Sequence, residues 1–449
     1  MEKQNKMAVM PMKELLFNMS LPLMLSLLIQ SLYNIVDGIY VSRLSENALT
    51  ATSLAYPVQF MMIAISVGTT VGLNALMSRY TGSGDSHKAC TVATTGLILC
   101  VIEALVFSLA GIFFAEKIAL SLAGDADIVA QTADYLKICM VFCIGIFVET
   151  LAQRMLTAVG LTHLSMISLL FGAPVNIVLD PILIFGLLGF PALGIKGAAI
   201  ATVIGQWAGA ITALLLNRLK NPSIHFIRKD YCFSLSDVID IYRIGMPTMI
   251  MQAVGSFMVG AVNAVLIAYS NTAVAFFGVY YKLQNFVMLP MNGLGQAALP
   301  IAAFNYGSNN KDRIRELYKT LVPLTLIMSL VGMAIFELLP SQLLSLFNAS
   351  REMLRIGVPA LRIIAVTFPL AAYIIVNGYF CTGLGNSVIN MISAAIRQLI
   401  VLVPCLAILV RSFGLDKAWY AFWIAEICSF IYSYLRGKKE MDTKLAEQL

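Results

Sequence analysis

Apolar runs long enough to cross a bilayer, roughly 20 residues, recur from end to end of the 449-residue chain. Short polar breaks separate them, among them Gly82-Ser83-Gly84-Asp85, Asn221-Pro222-Ser223 and Gly307-Ser308-Asn309-Asn310, the residue types that favour turns over helix. The pattern predicts twelve helices, at about 15–42, 47–80, 88–115, 127–157, 163–187, 194–219, 236–267, 272–305, 313–338, 351–383, 387–411 and 416–436. Several exceed 25 residues, so tilt, kinks or protrusion beyond the bilayer are expected. The expected fold is an all-α polytopic membrane protein.

A repeat runs through this pattern at a constant offset of 225. Pro22 matches Pro247, Gly82-Ser83 matches Gly307-Ser308, Gly160 matches Gly385, Met166-Ile167-Ser168 matches Met391-Ile392-Ser393, and Gly189 matches Gly414. One gapless register across both halves implies two six-helix bundles. Because six is even, both enter the membrane from the same side, as a parallel repeat about an axis along the membrane normal. The domains expected are 1–220 and 238–449, joined by a polar linker at 221–237. Two such bundles about a central cleft suit alternating access.

Composition sharpens the class. The chain is 59% hydrophobic and 12% charged, against about 25% charged in soluble domains, so a soluble fold is excluded. The N-terminal pattern continues into a full span and is read as a first helix, not a cleavable leader. A net charge of +6 raises the question of nucleic acid. However, lysine and arginine collect in alternate loops, eighteen against nine, which is the signature of membrane topology and puts both termini in the cytoplasm. The eight cysteines are scattered and form neither a metal motif nor a disulfide framework.

Two acids stand out inside apolar spans. Asp37 lies in Asn34-Ile35-Val36-Asp37-Gly38, and Asp180 in Asn176-Ile177-Val178-Leu179-Asp180-Pro181. An ionisable group at membrane depth costs about 2.5–3.5 kcal/mol on insertion scales and normally faces a cavity or a partner. Tyr33, Asn34 and Asp37 are spaced to lie near one face of the first helix, and Asn176 and Asp180 to share a face of the fifth. Pro181 removes a backbone donor and disfavours helical geometry at Asp180, which frees the Ile177 carbonyl. Carboxylates, an amide oxygen and a free carbonyl are hard ligands suited to Na⁺. Two neighbouring carboxylates in low dielectric equally suit a shared proton and would titrate as a unit. The structural alternative is that each Asp caps a broken helix or pairs with a base, but no lysine or arginine lies near either in sequence. At the repeat offset Asp37 becomes Val262 and Asp180 becomes Cys405, so coupling is expected in the N-terminal bundle alone.

Other intramembrane polar residues are candidates for a substrate cavity: Glu149, Gln153, Asn263, Lys282, Gln284, Asn285 and Asn292. A Glu149–Gln153 bond within one helix serves packing equally well. Arg397, Gln398 and Glu426 are read first as interhelical bonds. Glu103 has no evident partner. Pro22, inside the first helix, marks a kink about four turns from Asp37.

With Ser20-Leu21-Pro22, Asp37, the run Asn176 to Gly186, and Gly194-Ile195-Lys196-Gly197-Ala198 through Thr202 assembled, the chain resembles the multidrug and toxic compound extrusion (MATE) transporters over about residues 12–436. It is most similar to their MepA-like and DinF-like bacterial members. The resemblance implies a V-shaped pair of six-helix lobes and drug/cation antiport. It assigns cation or proton coupling to Asp37, Asn176 and Asp180 with Thr202, sets Tyr33 near them, and makes Pro22 the kink-forming proline. Na⁺, if it is the ion, would sit at Asp37, Asn176, Asp180 and Thr202. A second branch of the family places acids in the seventh and tenth helices, and this chain lacks them in both helix cores.

The function expected is therefore export of organic, cationic amphiphiles in exchange for H⁺ or Na⁺. It would take place across a bacterial cytoplasmic membrane, by a monomer with no cofactor and no nucleic-acid partner. A lipid-linked saccharide flippase and a dedicated natural-product exporter are the alternatives of similar class. The major facilitator sugar transporters share the parallel repeat, but their Asp-Arg-x-Gly-Arg loop is replaced here by Arg79 to Asp85. An intramembrane enzyme is disfavoured: there is no HExxH motif and no Gly-x-Ser-x-Gly elbow.

Overall fold

The computed structural model describes residues 5–227, 231, 233–347 and 349–446. Twelve helical tracts follow the predicted pattern. They are α1 (Met12–Leu44), α2 (Glu46–Gly82), α3 (Ser86–Leu122), α4 (Ala126–Val141 and Ile144–Ala158), α5 (Thr162–Phe185) and α6 (Ile195–Lys220). After them come α7 (Leu235–Ile267), α8 (Asn271–Gly307), α9 (Lys311–Leu338), α10 (Arg351–Ala365 and Phe368–Gly383), α11 (Val388–Ala395, a π turn at Ile396–Ile400, and Leu402–Phe413) and α12 (Tyr420–Ala446). Among the described residues nine helices are long and apolar enough to cross a membrane, and eleven when each bent pair counts as one span. The helix that falls short of this measure is α12, in which Glu426, Arg436, Tyr420, Tyr432 and Tyr434 dilute the apolar residues. The bilayer requirement is visible on α3, where Leu105, Val106, Leu109, Ile112 and Phe113 all stand exposed. A stripe of that size in water would drive aggregation; in lipid it costs nothing.

Turn chemistry repeats with the same register as the sequence. Ser45, Asp85 and Asp125 cap α2, α3 and α4 by accepting the amides of Ala48, Lys88 and Asp127. Their counterparts 225 residues later, Ser270, Asn310 and Ser350, cap α8, α9 and α10 in the same way. Gly160 and Gly385, both at positive φ, end equivalent helices where an L side chain would be strained. The fourth helix of each repeat is bent, by 46° in α4 and 51° in α10. By contrast Pro181 does not break its helix: α5 runs on through both Pro174 and Pro181 to Phe185. In a membrane, packing neighbours resatisfy the backbone that a proline frees.

The chain divides into two compact units, Leu25–Gly245 and Lys6–Met24 with the residues from Met246 onward. Each unit thus includes the opening half-helix of the other repeat, and the division falls beside Pro22 in α1 and Pro247 in α7.

In the first unit, α6 presents Gly197, Ala201, Gly205, Gly209 and Ala213, all buried at intervals of one turn. This small-residue stripe lets α5 approach to backbone contact: a Cβ added at Gly172 would lie 2.9 Å from the Gly205 carbonyl oxygen. The opening half of α7 docks on α2 and α3. A Cβ at Gly245 would lie 2.6 Å from the Gly68 carbonyl oxygen, Lys88 Nζ pairs with Asp237 at 2.8 Å, and the Tyr242 hydroxyl donates to Glu103 at 2.8 Å. Glu103, partnerless in sequence terms, also accepts from the Thr69 hydroxyl. Of the expected linker at 221–237, residues 228–230 and 232 lie outside the described residues, as do Lys3, Arg228 and Lys229 of the charge count. The described part hydrogen-bonds along α3: the His225 amide donates to Cys90 Sγ and the Ile227 amide to Thr94 Oγ1.

In the second unit the core centres on aromatic residues. Phe276 meets Trp419 edge-on at 4.9 Å, and Phe336 meets Phe368 at 5.0 Å. The opening half of α1 buries Met12, Leu15, Leu16 and Met19 against Leu294, Ile301, Leu317 and Phe380.

Candidate functional site

The site lies in the first unit, where α1 and α5 bring their acids together. Asp180 is fully buried and Asn176 almost so, while Asp37 is half-buried on α1. The carboxyl groups of Asp37 and Asp180 share a hydrogen bond. Neither ionised carboxylate can donate, so a hydrogen bond between them requires one of the two to be protonated. Asn176 Nδ2 donates to Asp180 Oδ1 at 3.5 Å, one turn along α5. Asp37 Oδ1, Asn176 Oδ1 and Asp180 Oδ2 are buried with no partner among the described residues. Unpaired acceptors on these interacting side chains are what a bare cation, or a proton with its water, would satisfy.

The surroundings are polar and aromatic. Tyr33 has Glu149, Asp37, Asp180 and Tyr56 as electrostatic neighbours, and Tyr135 has Cys139, Asp37 and Asp180. Gln59 Nε2 reaches both the Tyr135 hydroxyl (3.4 Å) and Cys139 Sγ (3.5 Å). Gln59, Tyr56 and Tyr135 were not among the sequence candidates. The available signal was weak: a lone Gln in α2, and Tyr135 four residues before Cys139 on α4. In a membrane helix a tyrosine reads equally well as an interface anchor.

Other expected residues fall elsewhere. Asn34 is exposed, although it is three residues from Asp37. The Thr202 hydroxyl donates to the Ala198 carbonyl at 3.0 Å, within its own helix, and no hydrogen bond joins it to either aspartate. Gln153 donates to Glu149 (3.1 Å) and to Ser168 on α5 (3.2 Å). The Glu149 carboxyl is seated in the space left by Gly209 of α6, where a Cβ would strike it.

In the second unit Lys282 and Asn285 are exposed and Gln284 is half-buried. Asn292 donates to the Met288 carbonyl at 3.0 Å, and the half-buried Asn263 keeps an unpaired Oδ1. Arg397 and Glu426 do form an interhelical bond, an ion pair at 3.5 Å between α11 and α12. Among the described residues no group of three or more His, Cys, Asp or Glu side chains is arranged to hold a metal ion. Na⁺ at Asp37 and Asp180 would therefore depend on neutral oxygens for the rest of its shell.

Helices of membrane-spanning length arranged in two repeats, both matched by one transporter family model, make this a multi-pass transporter and not an enzyme. The chain belongs to the MatE family: the family model matches residues 22–182 and again 247–407, two segments separated by the offset of 225 read in the sequence. The resemblance drawn from Pro22, Asp37 and the Asn176 stretch is thereby borne out. Curated relatives include the multidrug export protein MepA of Staphylococcus haemolyticus strain JCSC1435, 26% identical over 94% of this chain and 92% of that protein. MepA of Staphylococcus aureus strain RF122 is 26% identical over 96% of each chain. Among solved structures, a MATE in complex with MaL6 superposes with a TM-score of 0.91 at 25% identity over 99% of both chains. An outward-facing multidrug resistance MATE transporter does so with a TM-score of 0.91 at 24% identity, over 98% of each.

Proposed function

We propose that this chain is a multidrug exporter that couples outward movement of organic, cationic amphiphiles to inward movement of H⁺ or Na⁺ at Asp37 and Asp180. The relatives named as multidrug export proteins support a drug-like substrate. The observation that carries the coupling is the contact between the two carboxyl groups, with buried unpaired oxygens around it. A carboxyl–carboxyl hydrogen bond favours the proton, and the free Asn176 oxygen leaves Na⁺ as the second ion to be tested. Tyr33, Asn176 and the neighbouring Tyr135 and Gln59 line the same region, and Thr202 stands in the family's pattern as a further ligand.

The mechanism follows from the path of α1. One helix carries Asp37 and, about 22 Å away at 1.5 Å per residue, the proline beside which it passes to the other unit. Loading the acids changes which bend of α1 is preferred, so ion and substrate bias opposite access states. Sequence repeats at 1–220 and 238–449, folded as units that each include the opening half-helix of the other repeat, and cytoplasmic termini in a bacterial inner membrane complete the reading; the bias of lysine and arginine toward one side supports the orientation.

The test is ethidium efflux from proteoliposomes under separately imposed pH and Na⁺ gradients, for the parent, Asp37→Asn and Asp180→Asn. Efflux driven by one gradient and abolished by both substitutions, in protein that still folds, supports the reading and identifies the ion. Unimpaired coupling in both variants overturns it.

A further inference from the structure

The second unit holds a buried pair of opposite charges that the proposed coupling does not use. Arg397 lies in the π turn of α11 and its Nε is 3.5 Å from Glu426 Oε1 on α12, with the two side chains only 16% and 6% exposed. A π turn inserts an extra residue into a helix and recurs at functional positions. The cluster is not saturated. Arg397 Nη1, Glu426 Oε2, Gln398 Oε1 and the hydroxyl of fully buried Tyr280 have no partner among the described residues. Tyr280, from α8, is an electrostatic neighbour of both charges.

The repeat register shows what stands at the same places in the first unit. Arg397 corresponds to Gly172 and Glu426 to Ala201, both in the small-residue seam that closes α5 on α6. In the second unit the equivalent positions carry a cation and an acid that pair across α11 and α12. The exchange is reciprocal, because Asp37 and Asp180 correspond to the apolar or weakly polar Val262 and Cys405. Each unit therefore has a buried acidic locus on its fifth or sixth helix; both keep unpaired oxygens, and what sets the second apart is that it is supplied with its own guanidinium.

We propose that Arg397 is a tethered counter-ion that permanently occupies Glu426, so that the C-terminal unit takes up no coupling cation and ion exchange is confined to the aspartates of the N-terminal unit. This rests on the coupling reading of Asp37 and Asp180. Glu426 faces Arg397 from α11 and Tyr280 from α8. Along the same helix, Tyr373 from α10 packs on Phe430, Cys405 from α11 neighbours Cys428, and neutral carbonyls of Ser393 and Ile363 accept from Ser429 and Trp423. Arg397 is the cation of this group. Removing it leaves an acid in low dielectric whose remaining way to neutrality is to bind a proton or a cation.

Dicyclohexylcarbodiimide, which couples to protonated buried carboxyl groups, reads this directly when adduct sites are mapped by mass spectrometry on the purified full chain. The parent is expected to be modified at Asp37 or Asp180 and not at Glu426. In Arg397→Gln, Glu426 becomes modified to a yield comparable with the aspartates, and Arg397→Met, which keeps more of the side-chain volume, serves if the glutamine variant does not fold. Adduct at Glu426 in the parent, or none there in either folded variant, overturns the proposal. The aspartate reading fails separately, by coupled efflux that survives Asp37→Asn and Asp180→Asn whatever happens at Glu426.

Discussion

Gly205 sits where the helix seam meets the site, and replacing it with alanine is a quantitative test of how the acids are held. A Cβ built at Gly205 lies 2.9 Å from Asn176 Cβ and 3.1 Å from the Gly172 carbonyl oxygen. Carbon pairs prefer about 3.5–4.0 Å, so α5 and α6 must separate by roughly 0.6–1.1 Å or distort. Overpacking of this kind costs about 1–3 kcal/mol. Alanine also gains about 0.8–1.0 kcal/mol of helix propensity over glycine, which would mask part of the effect. Gly38→Ala supplies the matched control: it is also helical, lies beside Asp37, and its added Cβ meets nothing within 4 Å. The difference between the two variants isolates the packing cost. At about 2–4 °C per kcal/mol for a unit of this size, Gly205→Ala should unfold roughly 2–12 °C below Gly38→Ala in a detergent thermal-unfolding assay. It should also lower gradient-driven efflux, because Asn176 already donates to Asp180 at the 3.5 Å limit. Equal midpoints for the two variants would refute the seam argument.

Two further outcomes are expected. Lys88→Met strands the Asp237 carboxylate, which is 3% exposed and bonded to Lys88 at 2.8 Å. Breaking a buried pair costs about 3–5 kcal/mol, reduced to about 1–3 kcal/mol here because Lys88 is one-third exposed to screening; Lys88→Met/Asp237→Asn should recover part of the lost midpoint, and a double variant no better than the single would count against the pair. Tyr135→Phe removes the hydroxyl that accepts from Gln59 and should cost about 0.5–1.5 kcal/mol while leaving efflux coupled to its gradient. Complete uncoupling would mean that Tyr135 shares the aspartates' role.

Hydropathy alone determined the helical tracts, because an apolar run of bilayer length has only one way to satisfy its backbone in lipid. The helix from about 236 to 267 is α7 at Leu235–Ile267, and the tract at 351–383 is α10 with the same outer limits. The repeat was equally legible, since caps and positive-φ glycines are local requirements carried by particular residues such as Ser45 and Ser270. The two acids announced themselves for the same reason: an aspartate at membrane depth needs a justification that sequence makes visible.

Tertiary structure decided everything that depends on which helix faces which. Spacing along α1 put Asn34 near the face of Asp37, yet one is exposed and the other meets Asp180. The difference is set by where α5 lies, which no pattern in α1 encodes. Gly209 in α6 makes room for Glu149 of α4, and Arg397 finds Glu426 across α11 and α12. Pro181 reads as a break in isolation, but α5 continues through it with its neighbours packed around it. Lipid solvation acts on each helix separately and so is written in each stretch of sequence. Contact between helices is a property of pairs far apart in the chain, and only the folded structure states it.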